Sequence, residues 1–468
     1  MNFSSFKVFD IRCLFVFLSI VTINGLPAQG ADLEEIAVDD VLDTLVGTAS
    51  DSFPAGSGGV SLSEFSGYLE VKPRLYLRDR NSFFNDEQML ATAELELEFS
   101  LAGTVTGYVR PQLLVDVVDD NFQRFELFEA YLTYEQESWD IRLGQFVENW
   151  GIADTFNPLD ILNRRDLGVS LLDSVRLGET GVRGRWLWTG GIVGEPTVAV
   201  YFLPRFQITR FAPDRQRLGL GSSDFAFDEK RGVEPTDRQE HFYALRFQST
   251  FNLSVLNADF QLVAAKGPDR NPFVTQLNTA ALAPVYYGNR MIGAGVRAVP
   301  DFTGTADFLT GVALKLEMAY HSPYKFDDTP IPALDSYLSY VVGFDRVFYT
   351  ILSDRDELTL TVEFAGEAGV SRAESLAFSR PFSRDIITRV LWQAGNFSRS
   401  SLELRGIYDL DNDEHVVEGT ATTSLLRWHE DLKVELSVLY INPATDQQGA
   451  FSQLPDNTSV SVTLRFDF

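Results

Sequence analysis

Cysteine is all but absent from this chain of 468 residues; the single one, Cys13, lies in an apolar run near the start. Past that run there is no thiol, which excludes disulfides, cysteine-ligated zinc and cysteine nucleophiles together. Histidine is nearly as scarce: His241, His321, His415 and His429 stand far apart, with no second ligand type at metal-binding spacing. After the first thirty residues no window approaches roughly eighteen consecutive apolar residues, so membrane-spanning helices are excluded. There is no G-x-S-x-G elbow, no P-loop and no dinucleotide-binding glycine pattern. Bases are outnumbered, 39 against 66 acids, for a net charge of −27. Such a chain repels nucleic acid, so no nucleic-acid partner is expected. No cofactor and no enzymatic activity are expected either.

What is present begins with a leader. MNFSSFKVFDIR carries Lys7 and Arg12, CLFVFLSIV is an apolar stretch too short to span a bilayer as a helix, and NGLPAQGA supplies small residues. Residues 1–30 read as a secretory signal. Residues 31–60 read as an acidic amphipathic helix and linker: in DLEEIAVDDVLDTLVGT (32–48), Leu33, Ile36, Val38, Val41, Leu42, Leu45 and Val46 recur at helical spacing, and DSFPAGSGG follows as the linker.

From 61 to 468 the pattern has period two. In LEVKPRLYLR (69–78) the apolar Leu69, Val71, Pro73, Leu75 and Leu77 alternate with Glu70, Lys72, Arg74, Tyr76 and Arg78. In ATAELELEFSL (91–101) Leu95, Leu97 and Phe99 oppose Glu94, Glu96 and Glu98. Segments of this length suit a tilted strand crossing a bilayer, which takes roughly 9–11 residues, against about 5–6 for a soluble strand. Lipid offers no hydrogen-bond partners, so a spanning sheet must close on itself. The expectation is an all-β transmembrane antiparallel barrel of about 16 strands, within a range of about 14–18, plus the short N-terminal helix. Its outer face is apolar and its lumen is lined by acids and bases in near balance. Trp139, Trp186, Trp188, Tyr243, Tyr320, Tyr340 and Tyr440 fall near strand ends, as interfacial girdles do.

The end of the chain is regular. In SVSVTLRFDF the residues Val460, Val462, Leu464, Phe466 and Phe468 form one apolar face against Ser461, Thr463, Arg465 and Asp467. This is similar to the terminal strand signal of bacterial outer-membrane barrels, which implies recognition by the barrel-insertion machinery and a place in a Gram-negative outer membrane. DLDNDE (409–414) alternates Asp409, Asp411 and Asp413 like a calcium loop, but Glu414 stands where that loop needs Gly and Thr420 where it needs its bidentate Glu. An acidic hairpin turn is the better reading, with Asp409, Asp411 and Asp413 a weak divalent candidate and no metal site otherwise. An enzyme of the barrel type would require Ser or Asp within reach of His241 or His321.

One stretch breaks the pattern. RLGQFVENWGIADTFNPLDILNRRDL (142–167) begins as a strand and then crowds charges, Trp150, Gly151 and Pro158 together. Pro158 has no ladder donor, so this is not a regular central strand. Irregular backbone at membrane depth is tolerated only inside the protein or beside water, which makes 148–170 an inward segment or an external loop. Arg142, Glu148, Asp154, Asp160, Arg164, Arg165 and Asp166, with Arg183 and Arg185 on a nearby strand, are the candidates for a pore constriction. The same charges would serve equally to anchor the segment against the wall. The motif resembles a group of mostly uncharacterised proteobacterial outer-membrane porin-like barrels, similar in appearance to alginate-export-type porins. Members carry a base after Leu-Gly where this chain has Gln145. The resemblance implies a channel or export role without a substrate. The function expected is passage of small polar or charged solutes through a lumen narrowed by 148–170. The alternative is export of hydrophobic or amphipathic molecules, with helix 32–48 as a hatch or a dock for a periplasmic or inner-membrane transport partner. Outer-membrane lipid and lipopolysaccharide are the other expected partners.

Overall fold

The structure is a computed structural model that describes residues 60–468, apart from 78–83, 102, 120–121, 171, 173–174, 189–193, 214–215, 220–225, 228–239, 254–255, 279–280, 301–310, 327–332, 371–381, 427–428 and 444–456. The leader read in 1–30 and the acidic helix read in 32–48 lie outside the described residues. The strands, in chain order, are β1 (Val60–Tyr76), β2 (Glu87–Leu101), β3 (Val105–Asp116), β4 (Gln123–Gln136), β5 (Trp139–Phe146), β6 (Arg164–Asp166), β7 (Val175–Leu177), β8 (Glu179–Leu187) and β9 (Thr197–Leu203). They continue with β10 (Ala226–Phe227), β11 (Phe242–Leu253), β12 (Leu256–Pro268), β13 (Phe273–Asn278), β14 (Ala281–Val285), β15 (Gly288–Pro300) and β16 (Val312–Tyr324). The last are β17 (Tyr337–Tyr349), β18 (Glu357–Ala368), β19 (Arg384–Gln393), β20 (Ser401–Asp409), β21 (Glu414–Ser424), β22 (Leu432–Asn442) and β23 (Ser459–Asp467). No α-helix occurs among the described residues.

Eighteen of these strands form one sheet, each antiparallel to its neighbours, that closes where β1 meets β23. Tyr68 faces Asp467 and Tyr76 faces Ser459 across that seam. The Gly67 N–H donates to the Phe468 carbonyl at 2.9 Å and the Phe468 N–H to the Gly67 carbonyl at 3.0 Å. Closure leaves no unpaired sheet edge, which is the condition for a sheet in hydrocarbon. β6 and β7 form a small hairpin apart from the wall, and β10, β13 and β14 form a small sheet on the long connections.

Alternation divides the wall into two faces. Ile141, Leu143, Val200, Leu262, Ile292, Leu402 and Leu464 are exposed on the outside, whereas Glu94, Asp140, Arg183, Lys315 and Glu363 are buried on the inside. Short connections, such as 137–138 and 394–400, lie at the end that also carries the sheet's first and last residues. Long connections, 147–178, 204–241 and 269–287, lie at the other end. Trp139, Trp186, Trp188 and Tyr349 gather near the short-turn end, and Tyr243, Tyr320, Tyr340, Tyr408 and Tyr440 near the long-loop end. Short periplasmic turns, long external loops and two aromatic girdles are the marks of an outer-membrane barrel.

The strand count corrects the expected sixteen. The strands that alternation hides lie where the inner face is apolar as well. In β12, Val263 and Ala265 point inward while Leu262 and Ala264 point outward, so period two vanishes. In β15 the inner positions Gly293 and Gly295 carry no side chain because something occupies their space. A Cβ on Gly293 would stand 2.3 Å from Leu159 Cδ2, and one on Gly295 would stand 2.6 Å from Ile152 Cδ1.

The outward face of β23 carries Phe466 and Phe468, with the Phe468 ring 5.8 Å from Phe65 and 6.3 Å from Phe466. Replacing Phe466 and Phe468 together by Ser removes apolar surface from the closing seam. The folded, heat-modifiable fraction on a gel is expected to fall about tenfold in membranes; an unchanged fraction would show that neither seam packing nor insertion depends on these rings.

Candidate functional site

After Phe146 the chain leaves the wall and folds into the lumen, where its backbone groups need partners that no neighbouring strand supplies. The wall provides them as carboxylates. Glu317 on β16 accepts the Ile152 N–H at 2.6 Å, the Leu159 N–H at 2.9 Å and the Ala153 N–H at 3.4 Å. Glu363 on β18 accepts the Asp154 N–H at 2.8 Å and the Thr155 N–H at 3.4 Å. Glu129 on β4 accepts the Val147 N–H at 3.0 Å. The Gln261 side-chain amide donates to the Trp150 carbonyl. A turn at Asn157-Pro158, closed by the Asp160 N–H on the Asn157 carbonyl at 3.0 Å, brings Leu159 back beside Ile152.

The apolar side chains of this segment find the apolar inner faces just described. Phe146, Trp150, Leu159, Ile161 and Leu162 pack with Tyr201, Leu203, Phe242, Val263, Met291 and Ala319. Trp150, Leu159 and Leu162 are fully buried, and the Trp150 ring meets Tyr201 edge-on at 5.1 Å. Further along, Ala153, Phe156 and Leu172 pack on Val341, Ala365, Ile387, Ile407, Val416 and Ile441. The segment therefore touches the inner wall from β9 round to β22.

The candidate constriction residues do not form one ring. On the β5–β8 wall, Arg183 bridges Asp140 and Glu148 at 2.7 Å each, Arg185 pairs with Asp140 at 2.5 Å, and Arg142 stands 3.9 Å from Glu148. Within the segment, Asp160 pairs with Arg165 at 2.8 Å and Arg176 at 2.5 Å. Asp166 pairs with Arg124 at 2.6 Å, and Arg164 pairs with Glu126 at 3.0 Å. Asp154 lies elsewhere: it pairs with Lys315, which also reaches Asp345 at 2.6 Å. These opposite charges are in contact, so they hold the segment down before they can act on a solute.

Glu126 and Glu129 both serve the segment although their spacing would put them on opposite faces. A register shift at Arg110/Pro111 makes β4 bulge and turns both inward. Of the residues that sequence reading left out of the site, Lys315, Glu317 and Glu363 lie on strands far from the motif, and Glu126 and Glu129 lie on β4, next to β5. Their sequence signal is no more than an inward acid or base.

A second arc of the lumen is wet. Arg389 pairs with Glu403 at 3.0 Å, Arg405 with Glu403 at 3.3 Å and Glu418 at 2.5 Å, and Asp467 with Lys433 at 2.6 Å and Arg465 at 2.7 Å. These side chains keep between 18% and 39% of their surface open, unlike Glu317 and Glu363. Between this arc and the inward segment lies a cavity of about 20 Å³. Ser170, Leu172 and Leu218 line one side; Arg74, Glu418, Ser437, Ser459 and Ser461 line the other.

His321 meets the geometric requirement set for an enzyme. Its Nε2 is 2.9 Å from Ser339 Oγ and its Nδ1 is 2.9 Å from the Asn289 amide, which donates to Asp269 at 2.9 Å. Burial pushes the Asp269 carboxyl above its ordinary range, against hydrogen bonds from the Asn271 N–H and Asn289. A nucleophile also needs substrate access and oxyanion donors. Ser339 is 2% exposed and His321 4%, with Tyr337 stacked on the imidazole at 4.6 Å. The chain of contacts ties β15, β16 and β17 to the loop above them. His241 contacts the Pro204 carbonyl at 3.2 Å instead. At 409–413, Asp409 accepts the Asp411 and Asn412 N–H groups, Asp411 pairs with Arg384 at 3.2 Å, and the Tyr408 hydroxyl donates to Asp413. That is a hairpin turn with its carboxylates engaged. Among the described residues no acid or histidine group is arranged to hold a metal ion.

No protein-family model matches this chain, and no curated protein matches it in sequence. Solved structures do. The chain is similar to Wzi, described as an outer-membrane protein involved in group 1 capsule assembly in Escherichia coli and a carbohydrate-binding β-barrel, with 11% identity over 94% of this chain and 90% of that one and a TM-score of 0.49. It is similar to OccK2 (OpdF) of Pseudomonas aeruginosa, solved in complex with glucuronate, with 13% identity over 88% and 98% of the two chains and a TM-score of 0.48. It is also similar to the outer-membrane protein opdK of Pseudomonas aeruginosa, with 10% identity over 87% and 100% and a TM-score of 0.46. The chain is an outer-membrane β-barrel. Its closed sheet, apolar outer face and paired girdles establish that on their own terms.

Two outcomes check the site. Glu317→Gln with Glu363→Gln replaces charge-assisted hydrogen bonds by neutral ones and is expected to cost about 3 kcal/mol, read as easier proteolysis of 147–178 with the barrel intact; equal protection would mean that packing alone holds the segment. Ester hydrolysis by the purified protein is expected to equal that of Ser339→Ala, whereas His321→Gln lowers stability by about 1–3 kcal/mol; serine-dependent turnover would make the triad catalytic.

Proposed function

We propose that the protein is a selective channel for small polar or charged solutes. The observation that carries this reading is the division of the lumen: one side is filled by the inward segment, and the other keeps a file of partly open acids and bases. A solute would follow the β19–β23 and β1 wall, passing Ser459, Ser461 and Glu418 beside Ser170, Leu172 and Leu218. A gap of about 20 Å³ holds roughly one water molecule; on this reading it is the narrow point, and passage requires its edge to move.

Alternating Arg389, Glu403, Arg405 and Glu418 favour neither sign of ion strongly. They offer paired donors and acceptors to a hydroxylated or zwitterionic solute. Arg142, Glu148, Arg183 and Arg185, by contrast, act as anchors that set pore width. The likeness of 142–167 to alginate-export-type porins rests on that motif alone and suggests a saccharide as the first class to try.

In planar bilayers the purified protein is expected to show small, steady conductance. Leu172→Gly with Leu218→Gly removes both apolar edges of the gap and should raise conductance about threefold or more. Ser461→Cys, in a chain whose only other cysteine is Cys13, should make conductance sensitive to thiol reagents. Silence at every voltage in both proteins would end the channel reading, and conductance indifferent to all three changes would place the path elsewhere.

A further inference from the structure

The outer surface carries a feature that passage through the lumen does not use. Across β11, β12, β15 and β16 the register aligns Tyr243, Lys266, Arg290 and Ser322 in one row. Lys266 and Arg290 are exposed on the outer face. They are direct cross-strand partners of like charge, an arrangement that is unfavourable by itself. Among the described residues neither forms an ion pair with a carboxylate; Arg290 lies over the Tyr324 ring at 5.4 Å. The row is level with the tyrosine girdle at the long-loop end, where the outer leaflet's head groups lie.

Immediately below it, the next outward row reads Leu245, Ala264, Ile292 and Tyr320. Ala264 is small between two large neighbours, and the surface is hollow there. The resulting groove has a volume of about 610 Å³ and is lined by both rows. It is apolar along its floor and cationic at its upper end. The occupant that matches both parts has an anionic head and an acyl chain.

We propose that this groove binds lipopolysaccharide directly, with a lipid A phosphate between Lys266 and Arg290 and one acyl chain over Ala264. A phosphate has the acceptors to take hydrogen bonds from both cations and relieves their repulsion. The adjacent acyl chain packs into the hollow over Ala264, gaining close contacts with Leu245, Ile292 and Tyr320. Lipid A, unlike a glycerophospholipid, presents phosphate at the level of the external girdle in the outer leaflet. This contact is separate from any divalent-ion bridge to acidic loops, and it survives chelation.

The test is lipid A in detergent micelles titrated against the purified full-length protein, with EDTA present, read by native mass spectrometry. Lys266→Gln with Arg290→Gln is expected to weaken binding about tenfold or more. Ala264→Phe fills the hollow and should weaken it similarly while leaving both charges. Heat-modifiability on a gel verifies that each variant is folded. Wild-type affinity in the double variant overturns the proposal. Equal affinity of wild type for phosphatidylglycerol overturns the assignment to lipid A, and so does the absence of any binding in the presence of EDTA.

Discussion

Hydrocarbon leaves no backbone N–H or carbonyl an external partner, and the whole structure follows from that constraint. Eighteen strands satisfy it for the wall by closing at Gly67–Phe468. It then returns inside the lumen, because 147–178 leaves the sheet and takes its unpaired N–H groups with it. Carboxylates answer it there. Glu317 and Glu363 together receive the N–H groups of Ile152, Ala153, Asp154, Thr155 and Leu159. An acid on a wall strand is thus not only a lumen charge; it replaces the missing neighbouring strand.

The two sides of the lumen follow from this. Where the segment docks on β9 to β16, apolar wall positions such as Ala199, Val263, Met291 and Ala319 pack its side chains, and Glu317 takes its N–H groups. On β19 to β22 it touches Ile387, Ile407, Val416 and Ile441, and other inward positions of that wall are Arg389, Glu403, Arg405, Glu418, Lys433 and Ser437. One barrel therefore contains a packed core and a polar conduit side by side. The charges of the Arg-rich motif mostly share partners: Arg183 takes both Asp140 and Glu148, and Asp160 takes both Arg165 and Arg176.

The barrel was legible in the sequence because alternation with acids and bases inside is a local signal, plain in 69–78 and 91–101. That 148–170 leaves the sheet was legible too, from Pro158 and the density of polar residues in what should be a strand, but those residues left an inward segment and an external loop both open. The strand total was not, because β12 and β15 lost their polar face to the docking segment. Nor were the partners of that segment. Nothing near Glu317 or Glu363 distinguishes them from other inward acids, and Lys315 is 161 residues from Asp154. Sequence separation hides contacts that only ring closure brings together. The bulge opposite Pro111 shows the same limit on a smaller scale. The proline announces an irregularity, but only the register shows that it turns Glu126 and Glu129 to one side.

The holding of the segment also decides how it can move. Pulling Trp150 or Leu159 from the β9–β16 wall exposes fully buried apolar surface, at about 2–5 kcal/mol per side chain, and strips hydrogen bonds from buried N–H groups as well. Shifting Leu218 beside a gap that already holds room for a water involves little more than a rotamer change, about 1 kcal/mol. The cheaper displacement is at the edge facing Ser459 and Ser461, with Glu317 and Glu363 as the fixed side. Under the proposed channel reading, a lumen that widened there would open along the polar wall and keep the packed wall sealed, so a solute would stay in contact with Arg405, Glu418 and their partners.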